Sequence, residues 1–210
     1  MAIPSSLVIA NGRTVAPRCA SWRAALPVLE TRRAILREVR PRDAAHLAAS
    51  LGGPKVLDYL PLGPSTEEHF ARFIRWVRRE RRAGRYLCFA VVPRERRTAA
   101  GLFQLWPIEP GFGTAEIGFA LDATLWGSGT FQPCATAAID FAMDTLGVRR
   151  LECRSAVGNG RGAAALRKLG AVAEGTLRQC FPCPLGLLDH TIWSILSHEW
   201  RASRERARLT

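Results

Sequence analysis

Lysine is nearly missing from this chain. Lys55 and Lys168 are the only ones, although Lys plus Arg total 30 against 18 Asp plus Glu and leave a formal net charge of +12. The basicity is therefore arginine basicity, dispersed along the chain with local clusters at Arg32-Arg33, around Glu80 from Arg78 to Arg82, and around Glu95 from Arg94 to Arg97. Guanidinium groups spread in this way form solvated helix faces and turns that also welcome anionic ligands. Zinc-finger spacing, a recognition motif and an aromatic RNA-binding signature are all lacking, so no dedicated nucleic-acid surface is expected. No apolar run is long enough to span a bilayer, which leaves the soluble cytoplasmic state as the default expectation. Cys180-Phe-Pro-Cys183 has no second CxxC and no nearby histidine pair, so the six cysteines read as reduced core residues and no metal is expected. The LWGSGT run from Leu125 lacks the lysine of a nucleotide P-loop. No nucleophile elbow supports Ser-His-Asp hydrolysis, and His46, His69, His190 and His198 stand in unrelated contexts.

What is present suits one domain with an N-terminal extension, since 210 residues with 48% apolar content can build an ordinary core. Residues 1–30 are interrupted by Pro4, Gly12, Pro17 and Pro27 and read as the extension, with a short strand at Leu7–Ala10. Its apolar run precedes its arginines, the reverse of a secretory signal, while the lack of acids before Glu30 leaves an organellar presequence open. The domain proper is expected over 31–204, with 205–210 as a charged tail.

A first strand is predicted at Ala34–Arg40, with Pro41 and Asp43 opening a helix. Ser65 or Thr66 caps a longer helix over Glu67–Arg82, in which Phe70, Phe73, Ile74 and Val77 recur at helical spacing. Tyr86–Val92, Ala99–Trp106 and Thr114–Leu121 then read as an antiparallel meander whose one interior carboxylate is Glu116. Phe131–Leu146 is a helix with Pro133 in its first turn, Arg149–Val157 a strand, and Gly162–Leu169 a short helix. A terminal hairpin closes the chain over Ala171–Cys180 and Asp189–Leu196.

The informative stretch is Leu125–Gly170. A small-residue turn running straight into a helix presents unpaired backbone N–H groups and the positive end of the helix dipole, an arrangement that favours phosphate.

The order of these pieces resembles the GCN5-related N-acetyltransferase (GNAT) family, most closely its ribosomal-protein N-terminal acetyltransferase branch. The resemblance runs from Leu36 to Trp200. It is carried by LREVRPRDAAHL, AEIGFAL around Glu116, LWGSG at Trp126, FAMDTLGVRRLECRS from Phe141, NGRGAAALRKLGAVAEGTLR from Asn159, and DHTIWSILSHEW. It implies an α+β fold: a GNAT-type mixed, largely antiparallel twisted sheet flanked by helices, with a splayed central strand pair. It also implies acetyl-CoA as acyl donor, without metal.

By the same resemblance, the coenzyme A pyrophosphate would meet Trp126, Gly127, Ser128, Gly129, Thr130 and Phe131. Phe119, Leu121, Asn159, Gly162 and Leu166 would flank the pantetheine arm. Asn159 equally suits a helix cap. Gly162 and Leu166 stand where relatives carry a serine and a tyrosine, and Phe131 and Pro133 where a small residue and a glutamate are common. Acyl transfer to an amine needs a base and an oxyanion donor. Glu116 is the implied base, acting directly or through water, and a backbone N–H near Gly118 or Phe119 the implied donor; Cys153 and Ser155 are the candidates for delivering a proton. Glu116 can instead pair with an arginine at the sheet edge. The acceptor is expected to be a primary amine of a small molecule or of a peptide or protein N-terminus, received near Tyr59, Phe70, Phe73, Trp76, Phe103 and Trp106. A homodimer is possible, and a catalytically weak acyl-CoA-binding module is the alternative reading.

Overall fold

The computed structural model describes residues 21–59, 65–183 and 186–209. Eight strands form one sheet: β1 Leu29–Glu30, β2 Ala34–Glu38, β3 Leu87–Pro93, β4 Gly101–Pro107, β5 Thr114–Leu121, β6 Arg150–Ala156, β7 Val172–Cys183 and β8 Gly186–Leu196. Their spatial order is β1-β2-β3-β4-β5-β6-β8-β7, and every neighbouring pair is antiparallel except β5 with β6. The helices are α1 Ser21–Ala24, α2 Ala44–Leu51, α3 Pro54–Leu57, α4 Glu67–Arg82, α5 Phe131–Asp144, α6 Gly160–Lys168 and α7 Ser197–Leu209.

Strand alternation sorts the interior into two layers. In β3, Leu87, Phe89 and Val91 enter the core beneath α5, while Cys88, Ala90 and Val92 enter the one beneath α2 and α4. A strand buried on both faces must be apolar at every position, which is why LCFAVVP was the clearest strand in the sequence. Helix α4 starts where Thr66 Oγ1 accepts from His69 N–H, and it buries Phe70, Ile74 and Val77. Between α2 and β2, Asp43 takes a bidentate bond from Arg37 at 2.7 and 2.8 Å and a third from Arg40 N–H.

Within residues 21–30, part of the segment expected as a partly ordered extension, Trp22 and Leu26 are buried in the α5-side core. Arg81 fastens this segment by donating to the carbonyl oxygens of Trp22 and Arg23. The strand expected at Leu7–Ala10 lies outside the described residues. At the other end α7 continues to Leu209. Trp200 Nε1 docks it on Asp140 at 2.7 Å.

Candidate active site

The parallel pairing of β5 with β6 lasts only from Thr114↔Arg150 to Glu116↔Glu152. Beyond it Ile117–Leu121 keep their partners in β4, and Cys153–Ala156 keep theirs in β8, so the two strands part and leave facing edges open. A β5 edge that is not paired to protein still has backbone donors and acceptors to satisfy, and an extended ligand can supply the complement.

The glycine turn lies past the end of β5. Gly127 and Gly129 adopt φ of 74° and 79°, a left-handed conformation strained for residues with a β-carbon, and a Cβ at either would meet nothing within 4 Å. The turn is braced from within: Ser128 Oγ donates to the Leu125 carbonyl at 2.7 Å and lies 2.8 Å from Thr130 Oγ1. Trp126 Nε1 donates to the Leu121 carbonyl at 3.1 Å, tying the turn to β5. Thr130 makes no side-chain cap to α5, so the first N–H groups of that helix are not consumed by its own N-cap. An open cradle followed by a 14-residue helix fits a pyrophosphate. Sequence reasoning missed Arg161, whose guanidinium lies 4.0 Å from the Trp126 ring centroid and adds a cation beside the turn.

Asn159 acts as a cap: its Oδ1 accepts from Gly162 N–H at 2.9 Å. A β-carbon at Gly162 would come within 2.9 Å of the Asn159 amide, so the glycine and this cap geometry belong together.

Glu116 lies at the last paired rung, on the α4-side face of β5. Register places Trp106 beside it on β4 and Glu152 beside it on β6, so the carboxylate that stood alone in the predicted meander has a second one as neighbour. Arg154 Nε stands 3.3 Å from its Oε1, and the Glu116 side chain is only 14% exposed. Burial pushes its carboxyl above the ordinary range; Arg154 opposes this, Glu152 adds to it, and a hydrogen bond from Trp106 opposes it. Arg154 was legible in retrospect, because residues 152, 154 and 156 of a strand must share a face.

The other expected residues divide between the faces. Cys153 is buried in the α5-side core, 1% exposed, and burial pushes its thiol up to about 12. Alternation turns it away from the face that carries Glu116 and Arg154, which separates it from the base. Ser155 is buried too, its Oγ accepting from Trp193 Nε1 at 2.9 Å. Leu166 is fully packed in the same core, and Phe131 stacks on Phe103 with centroids 5.8 Å apart and lies tilted against Phe119 at 4.8 Å. Leu121 is buried with its carbonyl on Trp126. Of the aromatics expected around an acceptor, Phe70 and Phe103 are core residues on opposite faces of the sheet, and Tyr59 does not line the pocket that Trp76 and Trp106 share.

His190 follows a different pattern. It is 2% exposed, its ring stacks on Phe181 at 4.0 Å, and among the described residues neither ring nitrogen has a hydrogen-bond partner. Burial, then the charge of Arg154, lowers its pKa. No group of three or more His, Cys, Asp or Glu able to hold a metal occurs among the described residues.

A splayed parallel pair in an otherwise antiparallel sheet, ending in a glycine cradle at a helix start, defines an acyl-CoA-dependent transferase class, and comparison with known proteins agrees. The family described as Acetyltransferase (GNAT) domain matches residues 33–172, and the chain belongs to it. The chain is 27% identical over 176 residues to the Uncharacterized N-acetyltransferase p20 of Bacillus licheniformis, spanning 83% of this chain and 99% of that protein. In fold it is similar to the ribosomal-protein-S5-alanine acetyltransferase of Vibrio fischeri, with a TM-score of 0.74 at 18% identity, covering 83% of this chain and 98% of that one. It is also similar to Mycobacterium smegmatis RimJ in complex with CoA-disulfide, with a TM-score of 0.71 at 20% identity, covering 81% and 88%. The protein is an acyl-CoA-dependent acetyltransferase acting on an amine. Among the described residues no helix is long and apolar enough to cross a membrane.

Proposed function

We propose that this protein transfers an acetyl group from acetyl-CoA directly to a primary amine of a small molecule or of a peptide or protein N-terminus. The observation that carries this reading is the parting of β5 from β6 directly after Glu116, with the glycine cradle beyond it. When bound, acetyl-CoA supplies an activated thioester carbonyl. Gly127, Ser128, Gly129 and the first N–H groups of α5 hold the pyrophosphate, assisted by Arg161, and the open edges of Phe119–Leu121 and of β6 hold the arm.

An ammonium cannot attack, so a proton must leave the acceptor first. Glu116, with a pKa raised by burial, takes that proton directly or through one water, and Arg154 steadies the carboxylate. The backbone N–H of Phe119 stabilises the negative charge developing on the carbonyl oxygen, because the register turns the Gly118 N–H towards Gln104 on β4. The proton for the departing thiolate comes from water; Cys153 and Ser155 share the strand face turned away from Glu116, and Leu166 offers none. Asn159 contributes by fixing the start of α6 beside the cradle. The cytoplasm is the proposed setting and a homodimer the proposed assembly, the second of which size-exclusion chromatography with light scattering tests directly.

Purified protein incubated with acetyl-CoA and a panel of primary amines and peptides is expected to release thiol in step with acetylated product. Binding of acetyl-CoA without product on any acceptor in the panel would overturn the reading.

A further inference from the structure

The α4 face of the sheet carries a pocket of about 440 Å³ lined by Trp76, Glu80, Arg85, Tyr86, Trp106 and Pro107. Its wall is a row of rings: Trp76 meets Tyr86 edge-on at 4.8 Å, and Tyr86 lies parallel to Trp106 at 5.6 Å. Trp106 connects the pocket to the chemistry, because it is the register neighbour of Glu116 and its indole rests over Gly118, where a β-carbon would come within 3.2 Å of the ring. A group seated against this wall therefore holds whatever is attached to it close to the proposed base.

The polar groups around the pocket are already engaged. Glu80 is bound by Arg85 at 2.7 Å and Arg79 at 3.1 Å, and the Tyr86 hydroxyl is taken by Gln104. What remains for recognition is aromatic surface, Trp76 being 39% exposed. Around Trp76, α4 exposes Arg72, Arg75, Arg79 and Arg82, and among the described residues Arg75 and Arg82 make no ion pair. The rim is thus basic with charge to spare, and its complement is acidic.

We propose that this pocket anchors an apolar, preferably aromatic, side chain at the amino terminus of a peptide acceptor, and that acidic residues following the anchor lie on the arginines of α4. The inference rests on the acetyl-transfer reading above and names its acceptor. Ring faces recognise such a side chain without hydrogen bonds, and burying it removes apolar surface from water.

The test compares acetylation of four acceptors: a tetrapeptide beginning with phenylalanine followed by aspartate and glutamate, the same peptide beginning with alanine, a phenylalanine-first peptide with glutamine and asparagine in place of the acids, and phenethylamine. The first is expected to exceed the alanine peptide in kcat/KM by about tenfold, the scale of one well-seated ring. Trp76→Ala is expected to cancel that preference by raising the acceptor KM, while kcat and the acetyl-CoA KM hold, a split that general unfolding would not produce. Arg75→Glu is expected to remove the advantage of the acidic peptide over the neutral one. Equal kcat/KM for the phenylalanine-first and alanine-first peptides, or a preference that survives Trp76→Ala, overturns the anchor. Phenethylamine matching the best peptide overturns the peptide acceptor. Product with none of the four, but with other amines, overturns this inference alone; product with no amine at all overturns the acetyl-transfer reading and this inference with it.

Discussion

Arg154 on β6 reaches across the last rung of the β5–β6 pair to place its Nε 3.3 Å from Glu116 Oε1. The contact opposes what burial does to the same carboxyl, so the two residues jointly set the pH at which Glu116 can accept a proton. Because its pKa is raised, the basic form appears only as pH climbs past the ordinary carboxylate value of 4.5. The acid limb of the kcat/KM profile is expected above that value. Glu116→Gln should remove the limb and lower kcat by about 10²-fold or more. Arg154→Ala should move the limb to higher pH, since the cation that favours the charged form is gone.

The cradle is testable through its backbone. Gly129→Val forces a β-branched residue to φ of 79°, and Gly127→Ala makes a milder demand at 74°. The strain is about 1–2 kcal/mol per position, which corresponds to roughly tenfold weaker coenzyme A binding if the turn relaxes away from its present shape. Isothermal titration with coenzyme A measures it, and the acceptor KM should stay put.

Beneath α2, Asp43 and Arg37 are both nearly closed to solvent. Burial alone would raise the Asp43 pKa, but hydrogen bonds from Arg37 and Arg40 and the nearby charges outweigh it, leaving the pKa below 3.8. The stabilisation is therefore complete at neutral pH and is lost only as pH falls through the lowered folded value. Asp43→Ala strands a buried guanidinium and should cost about 3–5 kcal/mol in urea unfolding. Arg37→Met with Asp43→Leu should recover most of that loss.

His190 gives the opposite pH sign to a paired histidine. Its folded pKa lies below 6.5, so on acidification the unfolded chain takes up the proton first, and stability falls as pH drops from 6.5 towards the folded value. His190→Phe keeps a ring against Phe181, removes two unpartnered nitrogens, and should raise stability by about 1 kcal/mol at neutral pH while flattening this part of the pH profile. Thermal melts between pH 5 and 7.5 read both effects.

The sequence carried the strands and the cradle well because each obeys a local rule. LCFAVVP is apolar at every position, Thr66 caps α4, and the glycines at 127 and 129 mark left-handed backbone. The face on which a side chain emerges is a matter of counting, and Cys153 shows the cost of leaving it out: it adjoins Arg154 in the chain, and that single step turns it into the core. The neighbours of Glu116 were less accessible. Trp106 and Glu152 are 10 and 36 positions away in the chain, and only strand register brings them alongside. The anchoring of residues 21–30 was hidden for a similar reason, since Arg81 lies some 58 residues from the carbonyl groups it holds. Proline-interrupted sequence looked like an extension because its stabilising partner is distant.

The short β5–β6 pairing has a mechanical meaning. Strands β1 to β5 form one leaf, β6 to β8 form another, and among the described residues the strand pairing between the leaves runs from Thr114↔Arg150 to Glu116↔Glu152. Such a seam works like a hinge placed at one end of a book. A pantetheine arm bonded to both free edges would act as the absent strand that shuts it, so amide exchange along Phe119–Leu121 and Cys153–Ala156 should slow together when coenzyme A binds, with the joint itself stiffening as the acceptor's chemistry begins.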